Sequence, residues 1–97
     1  MKIVAVTACP TGIAHTYMAA EQLEKTARKL GHTIKVETQG AMGIEHELAQ
    51  GDIDSADVAI IAADIALERP ERFEKIRKVE VPVQAVLKHP ESVFARI

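Results

Sequence analysis

The sequence predicts an α/β domain built around a parallel sheet, and three features of the chain support that prediction. Two mainly apolar segments of strand length, Lys2–Thr7 and Asp57–Ala62, are typical of strands buried on both faces of a sheet. Segments with the helical spacing of apolar residues lie between the predicted strands. Strands that alternate with helices form parallel sheets with right-handed crossovers, so we expect an α/β fold with helices packed on the sheet.

The first predicted strand, about Lys2–Thr7, leads into the longest predicted helix, about Ile13–Leu30. Gly31 lies just beyond the last helical residue, where glycine commonly ends a helix. The apolar stripe of this helix recurs at spacings of four, four and three residues: Ala19, Leu23, Ala27 and Leu30.

The middle of the chain predicts a second strand, a turn and a short helix. Thr33–Thr38 alternates apolar and polar residues, as a half-buried strand does. Gly40 and Gly43 are predicted to bracket a turn. A short helix that ends at Gly51 is predicted from three apolar residues, Ile44, Leu48 and Ala49.

The last part of the chain predicts two more strands and further helical turns. Asp57–Ala62 is the third strand, and Pro70 suits the first turn of a short helix that ends near Lys75. An edge strand is expected at about Arg77–Val81, because the following proline has no N–H to donate to a neighbouring strand. Helical turns follow this strand, with a break near His89.

Composition excludes several classes of function. The 97 residues are 47% apolar and 27% charged, which fits a single domain over residues 1–97 with one core. The net charge is −2, and positive and negative residues are mixed along the chain without forming a basic stripe. Only 3% of residues are aromatic, so no nucleic-acid surface is expected. No apolar run is long enough to cross a bilayer and no signal peptide is predicted. A single cysteine excludes an internal disulfide, and a reducing, cytoplasmic setting is expected.

Cys9 is the best candidate for a reactive group, because it follows the first strand and opens a loop that leads into a helix. Ligands of parallel sheets bind beyond the carboxyl ends of the strands. Backbone N–H groups of the loop and of the first helical turn, together with the helix dipole, favour a thiolate or a phosphate there. We predict a phosphate-binding loop that comprises Thr11, Gly12, Ile13, Ala14, His15 and Thr16.

The residues of this loop predict phosphate binding without a metal ion. Gly12 allows the backbone to approach a ligand closely, and the hydroxyls of Thr11 and Thr16 can add hydrogen bonds. His15 can donate a hydrogen bond or a partial positive charge near a phosphate. The loop contains no Lys or Arg, and the chain has neither metal-ligand spacing nor a Gly-Lys-Ser/Thr signature, so we expect no metal, cofactor or nucleotide.

The loops after the second and third strands, Gln39–Gly43 and Ala63–Leu67, are predicted to share a rim with Cys9. The apolar residues in and next to these loops either pack in the core or form a docking rim for partner proteins, and the sequence leaves both open. These residues are Met42, Ile44, Ile65 and Leu67.

The charged stretch from Glu68 to Lys78 is predicted to be a solvated helix face.

The loop has the spacing Cys-x5-His, whose outline resembles the Cys-x5-Arg loop of low-molecular-weight tyrosine phosphatases. The longer segment Thr7–Ala20, with the sequence TACPTGIAHTYMAA, resembles the active-site segment of fructose-type enzyme IIB of the bacterial sugar phosphotransferase system. The likeness extends through Val36–Gly40 and Ala62–Ile65 and fades after about Phe73.

The resemblance to enzyme IIB implies a small four-stranded parallel sheet in the order 2-1-3-4, flanked by helices in three layers, with the active-site loop after strand 1. It also implies that Cys9 accepts a phosphoryl group from a phosphohistidine of enzyme IIA. The group then passes to a fructose-like sugar bound by the membrane enzyme IIC. The chain is accordingly expected to be cytoplasmic and peripheral to the inner face of the membrane through enzyme IIC, without inserting into the membrane.

Two other functions are compatible with the same residues. A small thiol phosphatase would use the Cys9 loop with Asp64 as a possible acid, although the missing arginine argues against it. A phosphorylation-dependent regulatory module would accept the phosphoryl group without passing it to a sugar. Without the longer motif, a lone cysteine at a strand end is more often a small buried apolar residue.

Overall fold

The computed structural model describes residues 1–9, 13–40 and 43–97, and these form one sheet with helices on both of its faces. The five strands are β1 (Lys2–Ala8), β2 (Thr33–Gly40), β3 (Gly43–Glu45), β4 (Val58–Ala63) and β5 (Lys78–Val81). The α-helices are α1 (Ile13–Lys29), α2 (Gln50–Ser55), α3 (Val83–Lys88) and α4 (Pro90–Phe94), and a 3-10 helix spans Pro70–Phe73.

The sheet has the strand order β3-β2-β1-β4-β5. The four strands β2, β1, β4 and β5 are parallel, in the order expected for the parallel sheet. The expectation of only four strands is wrong, because β3 adds an antiparallel fifth strand beside β2. Gly40 pairs with Gly43, and the chain continues as a strand after Gly43; the predicted turn between the two glycines lies outside the described residues.

Each face of the sheet has its own apolar core. One core packs α1, α3 and α4 against residues of β1, β4 and β5 that include Ile3 and Ile60. The other packs α2 and the 3-10 helix, through Ile53 and Phe73, against Val4 and neighbouring residues of the opposite face. The central strand β1 is buried on both faces along nearly its whole length, as its apolar sequence predicts.

The buried stripe of α1 is one residue shorter than predicted. Ala19, Leu23 and Ala27 have no exposed surface, whereas Leu30 is 47% exposed. The helix ends at Lys29, and Gly31 has φ +81° while the His32 amide donates to the Ala27 carbonyl at 2.8 Å. This glycine-terminated cap turns the chain away at Leu30, so the leucine points to solvent.

The predicted helix around Ile44–Ala49 is wrong, because these residues form β3 and an irregular connection to α2. The amide of Leu48 donates to the side chain of Glu37 at 2.9 Å instead of entering a helical hydrogen bond. The helix begins later, at Gln50, so that Gly51 lies inside it rather than at its end.

The C-terminal part of the chain follows the prediction closely. The short helix begins at Pro70 but is a 3-10 helix that ends at Phe73, and β5 begins at Lys78. The helical turns after Pro82 divide into α3 and α4 at His89, as the proline after it predicts. Within the described residues, none of the helices is long and apolar enough to cross a bilayer.

The buried stripe of α1 predicts unequal costs for two leucine truncations. Leu23→Ala removes a fully buried side chain and is expected to lower the free energy of unfolding by about 2–5 kcal/mol. Leu30→Ala removes an exposed side chain and is expected to change it by less than about 0.5 kcal/mol. Urea denaturation of both variants measures the difference, and equal losses would contradict the position of Leu30.

Candidate active site

Cys9 lies directly after β1, at the carboxyl end of the strand on which both halves of the sheet are assembled. Its side chain is only 5% exposed and belongs to the core on the α1 side of the sheet. Helix α1 begins four residues later, at Ile13. The strand, cysteine and helix therefore occur in the order that the sequence predicts for an anion site at a helix N-terminus.

A buried pair of threonines holds the first turn of α1 against β1. The hydroxyl of Thr7 donates to the carbonyl of Thr16 at 3.1 Å, and the two residues are 0% and 2% exposed. On the other side, a Cβ atom at Gly40 would lie 3.8 Å from the hydroxyl oxygen of Thr16. The start of the helix is therefore seated against the ends of both β1 and β2.

The structure describes part of the predicted phosphate-binding loop. Ala14 and His15 are exposed in the first turn of α1, and Thr16 is buried beneath them. Thr11 and Gly12 lie outside the described residues, and so does Met42 of the predicted apolar rim. Of the other rim residues, Ile65 is 43% exposed, whereas Ile44 and Leu67 are half-buried.

Thr38 contributes a buried hydroxyl next to this region. It is paired in register with Thr7, two residues before Cys9, and is only 4% exposed. Among the described residues, its hydroxyl is one of two buried side-chain polar atoms with no hydrogen-bond partner. A buried hydroxyl without a partner costs on the order of 1–3 kcal/mol.

The segment after β4 starts beside Cys9. The amide of Asp64 donates at 3.0 Å to the carbonyl of Ala8, which is the last residue of β1. The carboxylate of Asp64 accepts the amide of Val83 at 3.1 Å, and so it satisfies a backbone donor at the start of α3. Asp64, considered above as a phosphatase acid, is therefore engaged in holding a helix.

A buried ion pair on the opposite face of the sheet was not predicted. Glu37 has no exposed side-chain surface and Arg72 is 5% exposed at its side chain. The two guanidinium nitrogens of Arg72 lie 2.7 and 2.9 Å from the two carboxylate oxygens of Glu37, a bidentate arrangement. Arg72 also stacks over the ring of Phe73 at 5.1 Å. The prediction that residues 68–78 form only a solvated face is wrong at Arg72.

Gln39 extends this buried network toward the segment after β4. Its amide nitrogen donates to Glu37 at 2.8 Å and to the carbonyl of Glu68 at 3.1 Å. Its carbonyl oxygen accepts the amide of Glu68 at 2.8 Å. Burial by itself would raise the pKa of Glu37, but the hydrogen bonds from Arg72, Gln39 and the Leu48 amide outweigh burial and lower it.

The sequence does carry a signal for this network, in the segment Val36–Gly40. Glu37 and Gln39 occupy alternate positions of a strand and so point to the same face, and both lie near the centre of the sheet. Charged and amide side chains are rarely fully buried without partners. Two such residues at period two therefore indicate a buried partner, although not which of the many later cations it is.

A second polar contact links the start of α1 to β3. The phenol of Tyr17 donates a hydrogen bond to the carboxylate of Glu45. The hydrogen bond to this negative neighbour raises the pKa of Tyr17 above its ordinary value of 10.0. The exposed phenol thus remains a neutral donor at physiological pH and tethers the added edge strand to the helix that follows Cys9.

Comparison with known proteins agrees with this arrangement. The family model described as "PTS system, Lactose/Cellobiose specific IIB subunit" matches residues 4–96. The chain is 47% identical over 96 residues to the PTS system fructose-like EIIB component 2 of Escherichia coli K12, and the match covers 99% of this chain and 91% of that protein. The crystal structure of a predicted fructose-specific IIB from Escherichia coli has 48% identity and a TM-score of 0.94, covering 98% of this chain and 84% of the other.

A third relative contains further components in the same polypeptide. The chain is 53% identical over 92 residues to the PTS system 2-O-alpha-mannosyl-D-glycerate-specific EIIABC component of Escherichia coli K12. That match covers 95% of this chain but 14% of the relative.

These matches, over nearly the whole α/β chain, identify a phosphotransfer domain of the IIB class. The chain belongs to the IIB family of the sugar phosphotransferase system, and its relatives identify it as the fructose type. Members of this type are phosphotransferases that act in sugar uptake. The resemblance seen in the sequence is confirmed at the level of the family.

The ion pair predicts a pH-dependent stability. Because the folded pKa of Glu37 is below its ordinary value of 4.5, the carboxylate stabilises the fold above about pH 4.5. This contribution is lost as the pH falls through the lowered pKa. Glu37→Gln leaves Arg72 buried without its counter-charge, so it is expected to cost about 3–5 kcal/mol at pH 7.

Urea denaturation between pH 3 and pH 7 measures this effect. The wild type is expected to lose more stability on acidification than Glu37→Gln does, since the variant has already lost the titrating group. Glu74→Gln, at an exposed position, is the matched control and is expected to behave like the wild type. Equal stability of Glu37→Gln and the control at pH 7 would contradict the role of the ion pair.

Proposed function

We propose that Cys9 is the phosphoryl acceptor of this enzyme IIB. Its position carries the proposal: the thiol follows the central strand, and the first turn of α1 is fixed beside it by the Thr7–Thr16 hydrogen bond. A thiolate attacks phosphorus readily and also leaves readily, so the group can be taken up and released at the same atom.

The proposed reaction has two in-line displacements. The Cys9 thiolate attacks the phosphorus of a phosphohistidine on enzyme IIA, and the S–P bond forms as the P–N bond breaks. The bonding electron pair stays on the imidazole nitrogen, which takes up a proton. A sugar hydroxyl then attacks the same phosphorus and loses its proton as the S–P bond breaks, which regenerates the thiolate.

Backbone amides and hydroxyls of the loop are proposed to hold the phosphoryl oxygens. Charge spreads over these oxygens during transfer, so positioned donors contribute more than acid–base groups do. His15, exposed in the first turn, is proposed to donate to an oxygen that approaches from solvent. The proposed donors are Thr11, Gly12, Ile13, Ala14, His15 and Thr16.

The phosphatase alternative gains no support from the described residues. Arg72 binds Glu37 on the face of the sheet opposite α1, so its guanidinium does not clamp a phosphate at Cys9. Asp64 accepts the Val83 amide. The loop itself has no Lys or Arg, and a phosphocysteine that must survive until its acceptor arrives benefits from that absence.

The proposed partners are phosphorylated enzyme IIA as donor and the membrane enzyme IIC with its bound sugar as acceptor. Several relatives carry such components in the same polypeptide, as the EIIABC and EIIBC names state. We accordingly propose that residues 1–97 act as one IIB domain at the cytoplasmic face of the membrane, peripheral through enzyme IIC. A fructose-like sugar is the proposed acceptor substrate.

Phosphorylation of Cys9 is tested by intact mass spectrometry. The protein is incubated with phosphoenolpyruvate, the general phosphotransferase proteins and a fructose-type enzyme IIA. The wild type is expected to gain one phosphoryl group, and Cys9→Ser none, because a serine hydroxyl is a much weaker nucleophile at neutral pH. A phosphoryl group on Cys9→Ser at the wild-type level would overturn the assignment of Cys9.

Two controls separate this result from trivial failure. Circular dichroism shows whether Cys9→Ser is folded, and transfer to a known enzyme IIB shows that the donor is active. Onward transfer to sugar, measured with membranes that contain a fructose-type enzyme IIC, distinguishes a carrier from a regulatory module. Stable phosphocysteine without any transfer to sugar would favour the regulator.

His15 provides a separate prediction for the transfer step. Because its side chain is exposed, His15→Ala is expected to leave the melting temperature nearly unchanged. Loss of one donor to the phosphoryl group is expected to slow transfer from enzyme IIA by about tenfold or more. Rapid-quench kinetics measure the rate, with His89→Ala as the control at another exposed histidine; a wild-type rate in His15→Ala would remove His15 from the site.

A further inference from the structure

The segment Asp64–Glu68 crosses the end of the central strand and is fastened at both of its ends. At one end, the Asp64 amide donates to the Ala8 carbonyl at 3.0 Å, and at the other, Glu68 exchanges two hydrogen bonds with Gln39. Gln39 is paired in register with Ala8, on the opposite side of β1 from β4. The segment therefore passes from the end of β4 over β1 to the end of β2.

This course places the segment immediately beside Cys9, which follows Ala8. All of its residues except Leu67 are exposed, and Ile65, at 43%, is the large apolar side chain among them, whereas Leu67 packs into the core on the α2 side. Cys9 belongs to the core on the α1 side. The segment therefore forms the wall of the site on the side away from α1, and a protein that reaches Cys9 must meet this wall.

Gln39 holds the Glu68 end of this segment, and neighbouring residues fix the orientation of its side-chain amide. Its side chain is 3% exposed, and its amide nitrogen also donates to Glu37, which orients the amide group. Arg72 in turn donates to the Glu68 carbonyl at 3.3 Å while it binds Glu37. Glu68 is thus held by Gln39 and Arg72 together, and neither of these residues lies in the Cys9 loop.

We propose that Gln39 is a positioning residue for phosphotransfer, which holds the segment Asp64–Glu68 in the shape that enzyme IIA recognises. This inference rests on the proposed function of Cys9. The Thr7–Thr16 hydrogen bond joins the strand before Cys9 to the first turn of α1 without Gln39, so loss of Gln39 is expected to leave Cys9 and that turn in place. The consequence falls on recognition of the partner rather than on the chemical step.

Gln39→Met tests the proposal, because methionine has a similar volume but makes neither hydrogen bond to Glu68. The KM for phosphorylated enzyme IIA is expected to rise by about tenfold, the equivalent of one to two lost hydrogen bonds, with kcat within about twofold of the wild type. Hydrogen exchange of the Glu68 amide is expected to accelerate, since its acceptor has been removed.

Gln50→Met is the matched control. Gln50 also bridges elements through its amide nitrogen, which donates to Asp54 at 2.9 Å and to the Arg72 carbonyl at 3.2 Å. It lies in α2, outside the segment beside Cys9. The control is expected to leave KM and kcat at wild-type values even where it lowers the melting temperature.

The outcomes separate this inference from the proposed function. An unchanged KM in Gln39→Met, or an equal rise in Gln50→Met, overturns the positioning role while leaving Cys9 as acceptor. A fall in kcat without a change in KM also overturns it, because the defect then lies in the chemical step. Failure of the wild-type protein to accept a phosphoryl group from an active donor overturns the proposed function and this inference together.

Discussion

Glu37 places a carboxylate with no exposed surface inside the sheet, and the α2 side of the fold depends on its neutralisation by Arg72. Desolvation of two charges costs several kcal/mol per ion, which the pair recovers only with good geometry and further hydrogen bonds. Both conditions hold: the contact is bidentate, and Gln39 and the Leu48 amide fill the remaining acceptor sites. The pair thereby joins β2, the connection before α2 and the 3-10 helix.

The two faces of the sheet contribute different side chains to the region around Cys9. On the α1 face, short side chains such as Thr7 and Thr16 bring the helix start against the strand ends. On the other face, the longer side chains of Glu37, Gln39 and Arg72 reach across strands and fix the wall of the site. Since successive residues of β2 point to opposite faces, this strand contributes Thr38 to the α1 face and Glu37 and Gln39 to the other face.

A helix or strand was predictable from the sequence where its pattern of apolar residues extends over many residues. The apolar run of β1 covers nearly the whole strand, and the helical spacing of apolar residues recurs over several turns of α1, so both elements were predicted nearly in full. The three residues of β3 are too few to show a period, and Leu30 satisfies the helical spacing although the cap at Gly31 has already ended the helix. Cys9 could be chosen as the candidate acceptor because a local motif surrounds it. The partner of Glu37 was not, because a contact across 35 residues leaves no local trace.

The position of the ion pair also bears on the phosphotransfer proposed for Cys9. A site that accepts and releases the same group, as proposed here, changes its charge at each step and benefits from surroundings that stay in place. Apolar contacts are non-directional, so packed side chains can shift relative to one another. The bidentate Arg72–Glu37 pair, to which the Gln39 amide also donates, is satisfied in one geometry. Arg72 is neutralised by Glu37, so it stiffens the wall without adding a positive charge that would attract an attacking anion or stabilise hydrolysis at the cysteine. Arg72 can therefore hold Glu68 without adding an unpaired positive charge near Cys9, because its charge is paired with Glu37 on the α2 face of the sheet.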